Sequence, residues 1–360
     1  MMSLHEYARQ LAFGEAVVFE NLAMVPVMER EARPEPGYLL LQEALEAKLA
    51  RVTEVGGGTV PELIFENLAD CPVLLLGGEE LVGAKQNRML NLTILAAPHS
   101  QIVIPVSCVE AGRWRMETAE FEPSDFMAFA AVRAGSTSRV TASLRMRQGR
   151  RTDQGEVWSV IEERSQDLGA RSATGAMRAI YETRLTDVEK FVRAMPPRPG
   201  QIGAAFLIDG GPAGIDVFDH PKTMEKMAAK LVRGYAVDAL AAQRAAGGEN
   251  APERSGAPDK ADGAALAEKI RQWISALEAE GRLLIEPAVG MGQDVRFEND
   301  RISAAALWAE ERFVHLCAFP MKEGSDWFRP TPLSWMVSDR LSRRARSRFT
   351  REEPPPDAEF

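Results

Sequence analysis

Cysteine is scarce in this chain. There are three in 360 residues, Cys71, Cys108 and Cys317. So odd and scattered a set excludes a disulfide framework and fits a reducing compartment. Histidine is nearly as rare: His5, His99, His220 and His315 lie far apart, and no Cys or His pair has zinc-ligand spacing, so no metal site is expected. No apolar run approaches the ~20 residues of a membrane helix. Residues Met1–Gln10 carry charges where a signal peptide has its apolar core. A cytoplasmic protein without a membrane partner is the expectation. An excess of positive charge is missing too. The net charge is -9 and the pI about 5.3, which disfavours a dedicated DNA-binding role.

What is present is a globular composition, 45% hydrophobic and 26% charged, enough for a sizeable core. Residues 1–150 read as a β-rich region. Short apolar runs such as Val25–Met28, Ala50–Val55, Val60–Phe65 and Val73–Leu76 are parted by Gly, Pro and Asx turns. Leu90, Leu92 and Ile94 alternate, as do Ile102, Ile104 and Val106, which predicts half-buried strands. Residues 151–244 change period. A helix stops at Gly169, Met177 to Val192 carries an amphipathic stripe, Asp209-Gly210-Gly211 turns a hairpin, and a further helix begins near Pro221. Ser172 and Thr174 read as caps for the second of these helices. Residues 245–262 have the composition of a flexible linker. Residues 263–338 read as a helix plus a three-stranded meander (Asp294–Phe297, Ile302–Trp308, Phe313–Phe319), and 339–360 as a disordered tail able to contact a protein partner. The fold class is α+β: an antiparallel β-sandwich-like N-terminal half, packed amphipathic helices and a C-terminal β-meander.

The densest polar signal is Gly77–Trp114. Between two apolar strands stand Glu79, Glu80, Lys85, Gln86, Asn87 and Arg88, with glycines that permit close backbone approach. Further on, Cys108 and Glu110 continue the face of Ile102, Ile104 and Val106, followed by Arg113 and Trp114. A polar group phased with a core must find a partner or line a pocket. The candidate catalytic groups are therefore Glu110, Glu80 and Cys108, and the candidate ligand-binding groups are Lys85, Gln86, Asn87, Arg88, Arg113 and Trp114. Each has a plainer explanation: a solvated hairpin with an Arg88–Glu80 ion pair, a packed core thiol, a tryptophan that closes the sandwich. His99, Arg88 and Arg113 are the possible activators of Cys108. A Mg²⁺ site from Glu79, Glu80 and Glu110 is a minor alternative. Six arginines between Arg133 and Arg151, with no acid among them, read as outward-facing strand residues or, less simply, a basic stripe for an acidic ligand or RNA.

The segments GEELVGAKQNR (78–88) and IPVSCVEAGRW (104–114), taken together, resemble the ARG and Rhodanese-Phosphatase-superfamily-associated protein family, a domain of unknown function. VWSVIEE (157–163), SATGAMRAIYE (172–182) and QIGAAFLIDGGPAGIDVFDHP (201–221) fit the same likeness. The resemblance covers about Gly14 to Leu240. It implies a setting in ADP-ribose or nucleotide metabolism and carries over no catalytic residue and no cofactor. Two main functional expectations follow. One is a binding or accessory module for an anionic, nucleotide-like ligand. The other is a hydrolase or transferase on such a ligand with a carboxylate acid/base. A structural or partner-binding protein is the third.

Overall fold

Eighteen strands and seven α-helices form among the described residues, the α+β class that alternation followed by helical periodicity leads one to expect. The computed structural model describes residues 2–30, 35–56, 58, 60–247 and 263–321. Of the linker expected over 245–262, residues 245–247 instead continue the helix Pro221–Gly247; the remainder, and the tail expected from 339, lie outside them.

Three sheets organise the chain. A nine-stranded antiparallel sheet runs in the order Ala12–Phe13, Leu22–Met28, Gln201–Ile208, Gly211–Phe218, Arg312–Pro320, Ile302–Ala309, Gln293–Glu298, Arg282–Pro287, with Val17–Phe19 also paired to Leu22–Met28. The C-terminal meander therefore has four strands rather than three. The added strand, Arg282–Pro287, lies at the sheet edge, where the apolar Leu283 and Ile285 are exposed and do not face a core. A six-stranded sheet follows the order Phe121–Met127, Glu79–Gly83, Arg88–Leu90, Ser100–Cys108, Glu62–Asn67, Ala50–Glu54. A three-stranded sheet holds Ile94–Ala96, Val73–Leu75 and Leu39–Leu40, the last pair parallel. The two smaller sheets enclose one core, with Val73, Leu75 and Ile94 against Phe65, Leu81, Ile104 and Val106. That is the sandwich-like arrangement of the N-terminal half. Leu90 and Ile94 do not share a strand, as their alternation suggested: pairing breaks at 91–93 and Ile94 joins the other sheet.

The large sheet is covered on both faces, so its central strand Gln201–Ile208 is buried throughout. One face packs Ala205, Leu207, Ile215 and Val217 against Leu4, Tyr7, Ile270 and Trp273 from the helices Leu4–Gln10 and Gly263–Ile274. The other meets the long helix Pro221–Gly247, whose Met224, Met227, Leu231 and Tyr235 are buried at the spacing the sequence displays; Tyr235 stacks on Phe206 with ring centroids 3.9 Å apart. Period-two alternation puts Asp216 on this second face, opposite Ile215 and Val217. His315 and Cys317 join it there by register, Phe218 with His315 and Asp216 with Cys317.

The arginine-rich stretch is not strand. Residues Ala130–Arg145 form a helix whose buried side includes Ser136, Thr137, Val140 and Thr141. Small and hydroxyl residues on the packed face leave almost no hydrophobic contrast around the helix, so no periodicity marks it. Nor is it a basic stripe: Arg133 is buried against Asp216, while Arg139, Arg145 and Arg150 pair with Glu156, Glu298 and Asp294.

Asp216 accepts two bonds from the Arg133 guanidinium, a third from Tyr235 Oη at 3.2 Å and a contact from His315 Nε2 at 3.2 Å. Burial opposes ionisation of this carboxyl, yet Arg133 outweighs it and holds the group well below the usual aspartate value. Arg133→Met leaves that charge buried without its counter-ion, and urea unfolding is expected to show a loss of about 3–5 kcal/mol. The double variant Arg133→Met/Asp216→Leu removes both charges and is expected to regain a large share of that loss. A double variant no more stable than Arg133→Met would show that the pair is not coupled.

Candidate functional site

The hairpin of Glu79–Gly83 and Arg88–Leu90 turns through Ala84–Asn87, and its second strand pairs antiparallel with Ser100–Cys108. The register sets Arg88 directly opposite Cys108. The two polar elements of the sequence thus meet on one frame, and side-chain bonds tie them. Gln86 Nε2 donates to Glu110 O at 3.0 Å, and Asn87 N–H donates to Glu110 Oε2 at 3.1 Å.

Arg113 organises the tip. Its Nε donates to Glu110 Oε2 at 2.8 Å, Nη1 to Ala84 O at 2.9 Å, and Nη2 to Asn87 Oδ1 at 3.0 Å. Thr174 Oγ1 donates to the other Glu110 oxygen at 2.8 Å. Thr174 is therefore a partner of Glu110 and not the helix cap its position suggested, whereas Ser172 Oγ accepts from the Ala176 N–H at 3.0 Å. Burial acts to raise Glu110, but the bonds from Arg113, Thr174 and the Asn87 N–H outweigh it and hold the carboxyl below its ordinary value. Both oxygens of this carboxylate are engaged, so it anchors the hairpin loop in its ionised form at neutral pH.

Cys108 is fully buried. Its thiol donates to Gln86 Oε1 at 3.1 Å, and its backbone N–H and C=O both bind the Gln154 amide at 2.8 Å. Burial pushes the thiol pKa up, with the Glu110 backbone, Arg88 and Trp158 pulling less strongly the other way. A protonated, packed thiol results. His99, considered as its activator, is exposed and pairs with Asp70 at 2.8 Å.

Glu80 does not meet Arg88. It is buried, its Oε2 accepts from Ser124 Oγ at 2.7 Å, and its Oε1 has no hydrogen-bond partner among the described residues. Burial lifts this carboxyl to about 7. Glu79 turns instead to Lys230 Nζ at 2.9 Å. Glu79, Glu80 and Glu110 thus go to three different partners, and no group of three or more metal-ligating side chains gathers among the described residues.

Arg88 stands apart from these satisfied groups. It is 0% exposed. Among the described residues only Nη1 finds hydrogen-bond partners, Gln86 O at 3.3 Å and Gln86 Oε1 at 3.0 Å, while Nε and Nη2 have none. Among the described residues its ion-pair partner is Glu54, 3.8 Å from Nη2, whose own Oε2 also has no hydrogen-bond partner there. Above lies Trp114, 49% exposed, with its ring 5.8 Å from the guanidinium carbon and 5.1 Å from Lys85 Nζ. Trp114 therefore covers Arg88 and does not close the sandwich core. Glu54, Thr174, Gln154 and Trp158 were missed in the sequence, where each looks like an ordinary strand-end, turn or helix residue.

A family model described as the ARG and Rhodanese-Phosphatase-superfamily-associated Protein domain matches residues 10–319. The chain belongs to this family. Its domain thus takes in all three sheets, including the meander, which extends the likeness seen in the motifs. No curated protein and no solved structure matches the chain. Among the described residues no helix is long and apolar enough to cross a membrane.

A cavity of about 30 Å³ lies elsewhere, between the base of the Glu79–Leu90 hairpin and the large sheet. Gly77, Thr93, Arg133, Ser136, His315 and Cys317 are among its lining residues, and none of the sequence-selected candidates is. Asp216, His315 and Arg133 are separated by up to 182 positions along the chain (315 − 133), so spacing could not have joined them. The available signal was one charged residue inside the apolar hairpin strand Ile215-Asp216-Val217.

Glu80 makes stability depend on pH. The folded protein takes up a proton at about 7 where the ordinary value is 4.5, so stability falls as pH rises between these values and is level above them. Glu80→Gln is uncharged throughout and is expected to remove that slope, worth up to about 3 kcal/mol. Denaturant titrations at the two ends of the window check it; an unchanged slope in the variant would assign the dependence to another group.

Proposed function

We propose that this domain binds a small anionic ligand of the nucleotide type, with Arg88 as the anion receptor and Trp114 and Lys85 as its cover. The observation that carries the proposal is the pair of unfilled donors on a fully buried guanidinium. A buried charge with unmet hydrogen-bonding capacity is costly. A phosphate or carboxylate oxygen pair fills Nε and Nη2 as a fork, a geometry lysine does not offer. The half-exposed indole provides a face on which a base stacks, and Lys85 adds a second cation beside it. Entry requires the Trp114 side chain to move, and its loop carries no regular structure from Ala111 to Glu120.

A hydrolase or transferase acting on such a ligand is the second reading. What favours it is Glu80, whose carboxyl sits near neutrality as a general acid/base should.

Isothermal titration with ADP-ribose, NAD and adenine nucleotides tests the first reading. Saturable binding is expected for at least one of them, weakened more than tenfold by Arg88→Met and by about 1–3 kcal/mol in Trp114→Ala. No heat at millimolar ligand, or affinity indifferent to Arg88→Met in a protein that melts normally, would remove it.

A further inference from the structure

The cavity at the base of the hairpin holds an arrangement that goes beyond ligand binding at Arg88. Thr93 Oγ1 lies 2.9 Å from His315 Nδ1, and His315 Nε2 lies 3.2 Å from Asp216 Oδ1. The protons in this chain can be placed. Asp216, ionised beside Arg133, only accepts, so Nε2 carries the imidazole hydrogen. Burial disfavours the imidazolium and keeps the ring neutral, which leaves Nδ1 as an acceptor. The Gly77 N–H donates to Thr93 Oγ1 at 3.1 Å, so the threonine hydroxyl is left to donate to Nδ1. Hydroxyl, imidazole and carboxylate are thus ordered for proton withdrawal from Thr93, the logic of a nucleophile, its base and the group that orients the base.

Three further observations place a reacting group there. Thr93 is part-exposed and lines the cavity, His315 lines it as a buried residue, and Asp216 is buried without reaching the wall. The Ser136 hydroxyl, also on the cavity wall in a residue more than nine-tenths buried, has no hydrogen-bond partner among the described residues. His315 cannot swing away, because its ring stacks on Phe218 with centroids 5.0 Å apart. The cavity volume, about 30 Å³, has room for roughly one or two waters, which restricts the acyl group to the smallest class.

We propose that Thr93, His315 and Asp216 form an acyl-transfer site for esters of small carboxylic acids, with Thr93 as nucleophile, His315 as general base and Asp216 as the residue that positions it. Thr93 Oγ adds to the ester carbonyl carbon as its proton passes to His315 Nδ1. The carbonyl oxygen takes the electron pair and accepts a bond from Ser136 Oγ. Collapse breaks the carbon–oxygen bond to the alcohol, which leaves with the proton from Nδ1. Water then repeats the sequence on the threonine ester and releases the acid, restoring Thr93. The sum is ester plus water to acid plus alcohol. Gly77 N–H, already on Thr93 Oγ1, stabilises the oxygen as its proton departs.

p-Nitrophenyl acetate is the probe. Rapid mixing with the full chain is expected to release nitrophenolate, and peptide mass spectrometry of the acid-quenched protein to find the acetyl group on Thr93. Thr93→Ser keeps the hydroxyl and is expected to keep the adduct. Thr93→Val has the same shape, is expected to fold, and loses both adduct and release. His315→Asn is expected to slow acylation by about 10²–10⁴-fold; should it fail to fold, the valine variant decides. No release above buffer from folded protein, or an acetyl adduct undiminished in Thr93→Val, overturns the proposal. Neither result bears on binding at Arg88, which is read by titration with other ligands.

Discussion

The Arg133–Asp216 ion pair is the contact on which the arrangement of layers depends. It joins the helix Ala130–Arg145 to a central strand of the nine-stranded sheet, with both side chains almost wholly out of water. Its neighbours take their positions from it. Tyr235 of the long helix and His315 of the adjacent strand both reach the same carboxylate. The Arg133 side chain also passes so close to Gly78 that a β-carbon there would sit 3.0 Å from its methylenes, and Gly78 has φ +94. A side chain at 78 meets both obstacles, so glycine at the hairpin base is what lets the smaller sheets close on the larger one. A buried pair of this kind contributes little net stability against an apolar pair of equal volume. What it supplies is a point where the helix, the large sheet and the hairpin base at Gly78 meet.

Arg88 and Arg133 are chemically identical and both buried, yet their surroundings differ. Arg133 faces a carboxylate in fork geometry. Arg88 has an amide oxygen, a backbone oxygen and a carboxylate held off at 3.8 Å. Burial lowers the pKa of Arg88, whereas its counter-ion raises that of Arg133. A fold that can satisfy one guanidinium so fully has the means to satisfy the other. The difference between them is the physical ground for treating Arg88 as a receptor and Arg133 as architecture.

Much of this was legible in the residues. Alternation located Ser100–Cys108 and the face that Glu110 continues, three-and-four spacing located the helix Pro221–Gly247, and Gly169 marks a helix end at φ +66. The rule that a polar group phased with a core needs a partner picked out Glu110 and Arg88 correctly as buried. It could not name the partners. Arg88 meets Glu54 across two intervening strands, and Glu110 binds Thr174 from 64 positions on. The same rule applies with equal force to Asp216 between Ile215 and Val217, and to His315 between Val314 and Leu316. Ala130–Arg145 stayed hidden for another reason: a helix that packs through serine, threonine and alanine shows no hydrophobic period, and its arginines look solvated until the acids that meet them are placed.

The hairpin Gly77–Arg88 borders both candidate sites, which explains its polar density better than either site does alone. Its base, Gly77 and Gly78, needs glycine to admit Arg133 and to bring an N–H to Thr93. Its tip, Gly83 to Asn87, is held by the bonds that Arg113 makes to Gly83 O, Ala84 O and Asn87 Oδ1. Between the two ends, Glu79 and Glu80 are buried and anchored to Lys230 and Ser124. A hairpin pinned at both ends and along its length loses little further entropy when a ligand settles on either end. The acids and amides of this stretch, which on sequence alone look like the chemistry itself, are mostly the fastening that keeps Arg88 at one end and Gly77 at the other in place.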